Sequence, residues 1–186
     1  MKIVVNILFF MLCAGMVSAQ KSSIDAVAST VQWKGYKVTG MHEGTIKVKD
    51  GTFDFENGVL KGGSINMDMT SIQCSDLSGE YKGKLEGHLK SDDFFGVATF
   101  PTASIVFKKV TPYGKVGDYR IVADLTIKGT TKEIKFNATV LNGNGSAEIK
   151  VDRADFNVRY GSGSFIDNLG DKTIYDEFDI IANLKY

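Results

Sequence analysis

The groups that could do chemistry are few. The 186-residue chain carries two histidines, His42 and His88, and two cysteines, Cys13 and Cys74. None stands at HxxxH, HxH or CxxC spacing, so the nitrogen and sulfur ligand sets that hold zinc are missing and no metal is expected. One stretch, His88-Leu89-Lys90-Ser91-Asp92, gathers a hydroxyl, an imidazole and a carboxylate, the types that activate a serine nucleophile. No nucleophile elbow or oxyanion-binding loop accompanies it, so an enzyme using His88 with Asp92 is a subordinate reading, and the expectation is no catalysis and no cofactor. Adjacent acids at Asp92-Asp93 and Asp176-Glu177, and Glu43 near Asp50, read as solvated faces or helix caps. Gly58 through Gly63 and Gly161-Ser162-Gly163-Ser164 lack the lysine of a phosphate loop at its spacing and read as turns and bulges.

The elements that would position any site are strands. In Tyr119 to Lys128 every odd residue is apolar and most even ones are polar, the period of a half-buried strand. Gly129-Thr130-Thr131 turns the chain, Ile134, Phe136, Ala138 and Val140 repeat the period, and Asn142-Gly143-Asn144-Gly145 turns it again. The same alternation runs through Val27 to Val38, Ile46 and Val48, Phe53 and Phe55 after an Asp50-Gly51 turn, Ile65 to Met69, Ile105 and Phe107, Ala147 to Val151, and Phe178 to Leu184. About eight antiparallel strands result, which can close into a barrel or fold into a sandwich; the barrel is preferred because closure removes exposed edges. At roughly 3.3 Å per residue, strands of about nine to twelve residues make a body on the order of 30 Å tall. Leu77, Tyr81, Leu85 and Leu89 recur at fours, a helical stripe weakened by Gly79, Gly83 and Gly87, so a short imperfect helix interrupts the strands around residues 75–95. The Phe94-Phe95 pair that follows is expected to turn inward, since burying each ring is worth roughly 1.5–3 kcal/mol.

Met1-Lys2, the apolar run from Ile3 to Leu12 and Val17-Ser18-Ala19 have the three regions of a secretory signal peptide, with cleavage expected after Ala19. Residues 20–186 then form a single domain, periplasmic or secreted. The 22 basic and 22 acidic residues balance, and loss of Lys2 leaves one excess acid, so no basic surface is expected to hold nucleic acid. Cys74 alone remains after cleavage, which excludes an internal disulfide. What is left is a large apolar inventory: Trp33, Phe53, Phe55, Met67, Met69, Phe94, Phe95, Phe107, Phe136, Phe156 and Phe165. These residues fill the barrel or line a cavity, and periodicity does not separate the two because a wall and a core share one pattern.

Four spaced segments resemble the YceI family of secreted bacterial polyisoprenoid-binding barrels. They are Trp33-Lys34-Gly35-Tyr36-Lys37-Val38-Thr39-Gly40-Met41-His42-Glu43-Gly44, then Leu85 to Phe95 with Pro101, then Leu125-Thr126-Ile127-Lys128-Gly129-Thr130-Thr131-Lys132, and finally Arg153-Ala154-Asp155-Phe156. The chain departs from the family pattern at Gly96, where an acid is common, at Phe100, where Tyr is frequent, and at Asn157, where Gly is usual. The resemblance implies an all-β, eight-stranded antiparallel, lipocalin-like barrel with a helical insertion. Its interior would hold an isoprenoid or other fatty lipid, a quinone or a polyprenyl lipid, without catalysis, in a monomer or homodimer. On that reading Trp33, Phe53, Phe55, Met67, Met69, Phe94, Phe95 and Phe107 line the tunnel, and His42 and His88 stand at the mouth as head-group candidates. The alternative is a structural or partner-binding barrel with a filled core.

Overall fold

The computed structural model describes residues 18–186; the expected signal peptide therefore lies, but for its last two residues, outside the described residues. The strands are β1 (Ala19–Ser23), β2 (Thr30–Lys37), β3 (Gly40–Glu56), β4 (Val59–Cys74), β5 (Thr102–Pro112), β6 (Asp118–Ile127), β7 (Thr130–Leu141), β8 (Asn144–Asp152) and β9 (Ile174–Lys185), with an α-helix, α1 (Gly79–Lys90), between β4 and β5 and two 3-10 turns, Arg153–Phe156 and Gly170–Lys172, between β8 and β9. Each strand from β2 to β9 pairs antiparallel with the next, and β2 closes on β9. The result is a closed eight-stranded barrel. β1 lies on β3 beyond the end of β2, with Ser23 opposite Thr52 and Val31 of β2 opposite Ile46.

Period-two patterning fixes which face is buried. In β6, Tyr119, Ile121, Ala123 and Ile127 are buried and Leu125 is half-buried, while Arg120 is exposed. Two-residue turns join β3 to β4, β6 to β7 and β7 to β8 at Asn57-Gly58, Lys128-Gly129 and Asn142-Gly143. All six residues have positive φ, between 50° and 77°, the backbone of the tight hairpins that match the strand twist. Asn157, where the resemblance leads one to expect glycine, has φ 62°, a conformation asparagine tolerates better than most residues.

Two expectations need correction. Asp50-Gly51 does not turn the chain: β3 runs through it, with a register shift between Val48 and Asp50, so Ile46 and Phe53 belong to one strand. Glycine is needed at position 51 because a Cβ there would meet the Ile24 Cδ1 and the Ser64 carbonyl oxygen at 2.8 Å. The helical stripe is also narrower than its spacing implies. Leu85 and Leu89 pack inward, but Tyr81 is 75% exposed beneath Lys84, and Gly83 and Gly87 face open space.

The two ends of the barrel differ. One is overlaid by α1, the turns of residues 91–101 and the segment from Arg153 to Thr173; the other is plugged by aromatic rings. There Phe53, 2% exposed, meets Tyr186 edge-on at 5.2 Å and stacks on Phe107 at 6.2 Å. Beside the plug the Leu60 amide donates to the Tyr119 hydroxyl at 3.2 Å, both residues being buried. Tyr119→Phe leaves that amide unpaired, and the expected loss is about 1.5 kcal/mol of unfolding free energy, readable as a shifted urea midpoint at unchanged slope; a midpoint equal to wild type would mean that the bond contributes nothing.

Candidate functional site

Between the two ends lies a cavity of about 200 Å³. Its wall is almost wholly apolar, with Trp33 from β2, Met67 and Met69 from β4, Phe107 from β5, and Phe94 and Phe95 from the turns after α1. Phe94 is buried and Phe95 half-buried, and their rings meet edge-on at 4.9 Å. Phe53 forms the cavity floor.

Phe55 does not line the cavity. It shares the phase of Phe53 but stands one step further down β3, stacked on Tyr186 at 5.4 Å, so it belongs to the plug. Neither histidine reaches the cavity wall. His88 is packed between Phe94, at 5.6 Å, and Tyr160, at 4.3 Å, and its Nε2 is buried without a hydrogen-bond partner. Ser91 Oγ donates to the His88 carbonyl at 2.7 Å, so the hydroxyl that a catalytic reading needs is turned to the backbone.

His42 sits outside the barrel wall, where the end of β4 leads towards α1. Its Nδ1 bonds Asp76 Oδ2 at 2.8 Å, while Asp76 Oδ1 accepts from the Glu43 amide at 3.1 Å and from Cys74 Sγ at 3.0 Å. Burial alone would raise the Asp76 carboxyl; the bonds from Cys74, His42 and Glu43 outweigh it and bring its pKa down to about 2. Burial, and the bond to Asp76, push the Cys74 thiol up, which keeps it protonated and unreactive at neutral pH. Because the Asp76 pKa is depressed on folding, its contribution to stability is present above the ordinary carboxylate value of 3.8 and is lost as pH falls towards 2. Asp76→Asn is expected to flatten the fall of the urea midpoint across that window, and parallel curves for variant and wild type would remove Asp76 as the source.

The polar residue that matters most at the cavity is one the sequence did not single out as a site. Arg153 lines it, 3% exposed, directly after β8. Nε donates to the Tyr175 carbonyl at 3.1 Å, Nη1 to those of Val158 and Tyr160 at 3.0 and 2.8 Å, and Nη2 to that of Ile174 at 2.9 Å. Nη2 also lies 3.2 Å from Asp176 Oδ1, and the guanidinium sits 5.5 Å from the centre of the Phe94 ring. Burial lowers the Arg153 pKa, and Asp176 and Asp152 oppose that shift; arginine stays charged in either case. With its donors committed to the closing segment and to the first two residues of β9, the guanidinium organises the cap rather than offering a free charge to a ligand. The cavity therefore reads by shape and apolarity.

A closed antiparallel barrel around an apolar cavity is a lipocalin-like binding architecture. Residues 23–186 match the YceI-like domain family, and the chain belongs to that family. A UPF0312 protein of Pseudomonas fluorescens is 32% identical over 156 residues, covering 80% of this chain and 76% of that one. A UPF0312 protein of Pseudomonas putida is 31% identical over 154 residues, covering 79% and 75%. Among solved structures, BcnA of Burkholderia cenocepacia superposes with a TM-score of 0.66 at 23% identity, over 87% of this chain and 98% of its own. A polyisoprenoid binding domain from Saccharophagus degradans superposes with a TM-score of 0.60 at 15% identity, over 91% and 97%. These likenesses establish the barrel.

Proposed function

We propose that this protein is a periplasmic or secreted carrier that binds the chain of an isoprenoid, as a prenyl quinone or polyprenyl lipid, in its barrel and does no chemistry on it. The observation that carries the reading is the apolar cavity. A dry, apolar cavity of roughly 150 Å³ is already enough to take up benzene, and the one here, about 200 Å³, takes a short apolar segment of such a chain. At about 24 cal/mol per Å³, leaving it empty costs roughly 5 kcal/mol, a cost that an apolar chain relieves and water does not. The structural likeness to a polyisoprenoid binding domain from Saccharophagus degradans supports an isoprenoid over other lipids. The filled-core alternative has no comparable observation in its favour.

Native mass spectrometry with solvent extraction, on protein purified from a bacterial periplasm without detergent, tests the proposal. A bound mass resolving to a prenyl quinone or polyprenyl lipid is the expected result. A bare polypeptide mass that stays unchanged after incubation with prenyl quinones would overturn it.

A further inference from the structure

The wall of the barrel is not equally knit all round. β6 and β7 pair continuously from Asp118 opposite Thr139 to Ile127 opposite Thr130, and β8 and β9 pair along the whole of β8. Between them, β7 and β8 pair only from Leu141 opposite Asn144 to Ala138 opposite Ala147. Beyond that rung residues 130–137 of β7 and 148–152 of β8 have no strand on their facing sides. The sequence supplies the reason. Continuing the same register would set Lys135 against Lys150 and Glu133 against Asp152, and like charges directly opposite one another oppose pairing. Two of these charges are instead engaged away from the gap: Glu133 with Lys108 at 3.2 Å, and Lys150 with Asp179 at 3.1 Å.

The inward residues on the two lips, Ile134 and Phe136 on one and Ile149 and Val151 on the other, all line the cavity. Outside, a shallow groove follows Asn137, Thr139, Ser146 and Glu148. The groove and the cavity share Ala138, Ser146, Ala147 and Ala182 as walls, so at the last rung only small side chains separate inside from outside. By contrast, one end of the barrel is held by the buried hydrogen bonds of Arg153 and the other by the Phe53 plug. Opening either end breaks buried hydrogen bonds or the aromatic plug, whereas parting β7 from β8 above Ala138 breaks no strand pairing, only the packing of the 3-10 turn Arg153–Phe156 against β7.

We propose that the seam between β7 and β8 is the portal through which a lipid chain enters and leaves the cavity sideways. This rests on the reading of the cavity as a lipid site, and the test separates the two. Trp33, the one tryptophan of the chain, lines the cavity, so quenching of its fluorescence by a tetraprenyl benzoquinone reports both occupancy at equilibrium and uptake in stopped flow. The variant Asn137→Cys with Glu148→Cys adds one covalent rung where the ladder stops, within reach of a disulfide if the lips close by one step. Oxidised, it is expected to fill to the wild-type extent but about tenfold more slowly or worse, with the rate restored by dithiothreitol. Thr126→Cys with Thr131→Cys, whose native hydroxyls are 2.8 Å apart on the intact β6–β7 ladder, should leave the rate unchanged. Lys135→Glu, which turns the Lys135–Lys150 repulsion into attraction, should slow uptake without any cross-link and decides the matter alone if the disulfide does not form. Equal rates in the oxidised and reduced seam variant and in Lys135→Glu, or equal slowing by the Thr126–Thr131 cross-link, overturn the portal while leaving the cavity site standing. Absence of quenching in the wild type at equilibrium overturns the cavity reading and the portal with it.

Discussion

Replacing Arg153 by Met is expected to destabilise the protein by about 4 kcal/mol, because removing one partner of a buried ion pair costs about 3–5 kcal/mol. Four carbonyls, those of Val158, Tyr160, Ile174 and Tyr175, lose their donor together, and Asp176, 16% exposed, keeps only the Ser164 hydroxyl at 2.6 Å. In a domain of this size the melting temperature should fall by about 10 °C. Methionine keeps an unbranched apolar side chain and gives up the guanidinium 5.5 Å from the centre of the Phe94 ring, so the loss is assigned to hydrogen bonds and charge rather than to packing. Arg153→Lys restores the charge opposite Asp176 but not the planar fork that serves four carbonyls at once, and should recover no more than half of the loss. A Met variant that melts within about 2 °C of wild type would show that the segment from Arg153 to Thr173 is held by its own core residues, Phe156 and Val158, which are 1% and 0% exposed.

The barrel was legible in the sequence because a strand with one face in the core must alternate, and β6, β7 and β9 alternate plainly. The cavity-facing phase of Trp33, Met67, Met69 and Phe107 could be read for the same reason. Depth along the axis could not: period two gives Phe53 and Phe55 the same face, and only the register of β3 on β1 and β4 puts Phe53 at the cavity floor and Phe55 in the plug beneath it. His42 could not be placed from the sequence either, because its partner Asp76 lies 34 positions on, just past the end of β4. Arg153 was visible as part of a motif, yet its role depends on carbonyls up to 22 residues away. The space itself left no signal. It exists because Ala103, Gly145, Ala147 and Ala182 stand among the wall positions, and small residues carry too little hydrophobic contrast to mark a face. The seam had a trace, the like charges at Lys135 and Lys150, but that trace has meaning only once the register is known.

Filling the space is the most direct way to separate a binding barrel from a merely porous one. Ala103 on β5 and Leu125 on β6 line the cavity on a wall that the seam does not border. A phenyl ring at position 103 takes the room of several methylenes; at about 0.8 kcal/mol for each buried CH₂, a chain excluded by four of them loses about 3 kcal/mol, or roughly 100-fold in Kd. Leu125→Phe adds less volume and should weaken binding by a smaller factor, and the two together should abolish retention through purification. The apo protein is expected to hold its stability or gain some, since the added ring buries apolar area in a void rather than in packed core. That opposite sign distinguishes the effect from misfolding, which would lower affinity and stability together. Unchanged lipid retention in a stably folded Ala103→Phe, Leu125→Phe protein would mean that the lipid does not occupy the barrel, and attention would shift to its outer surface.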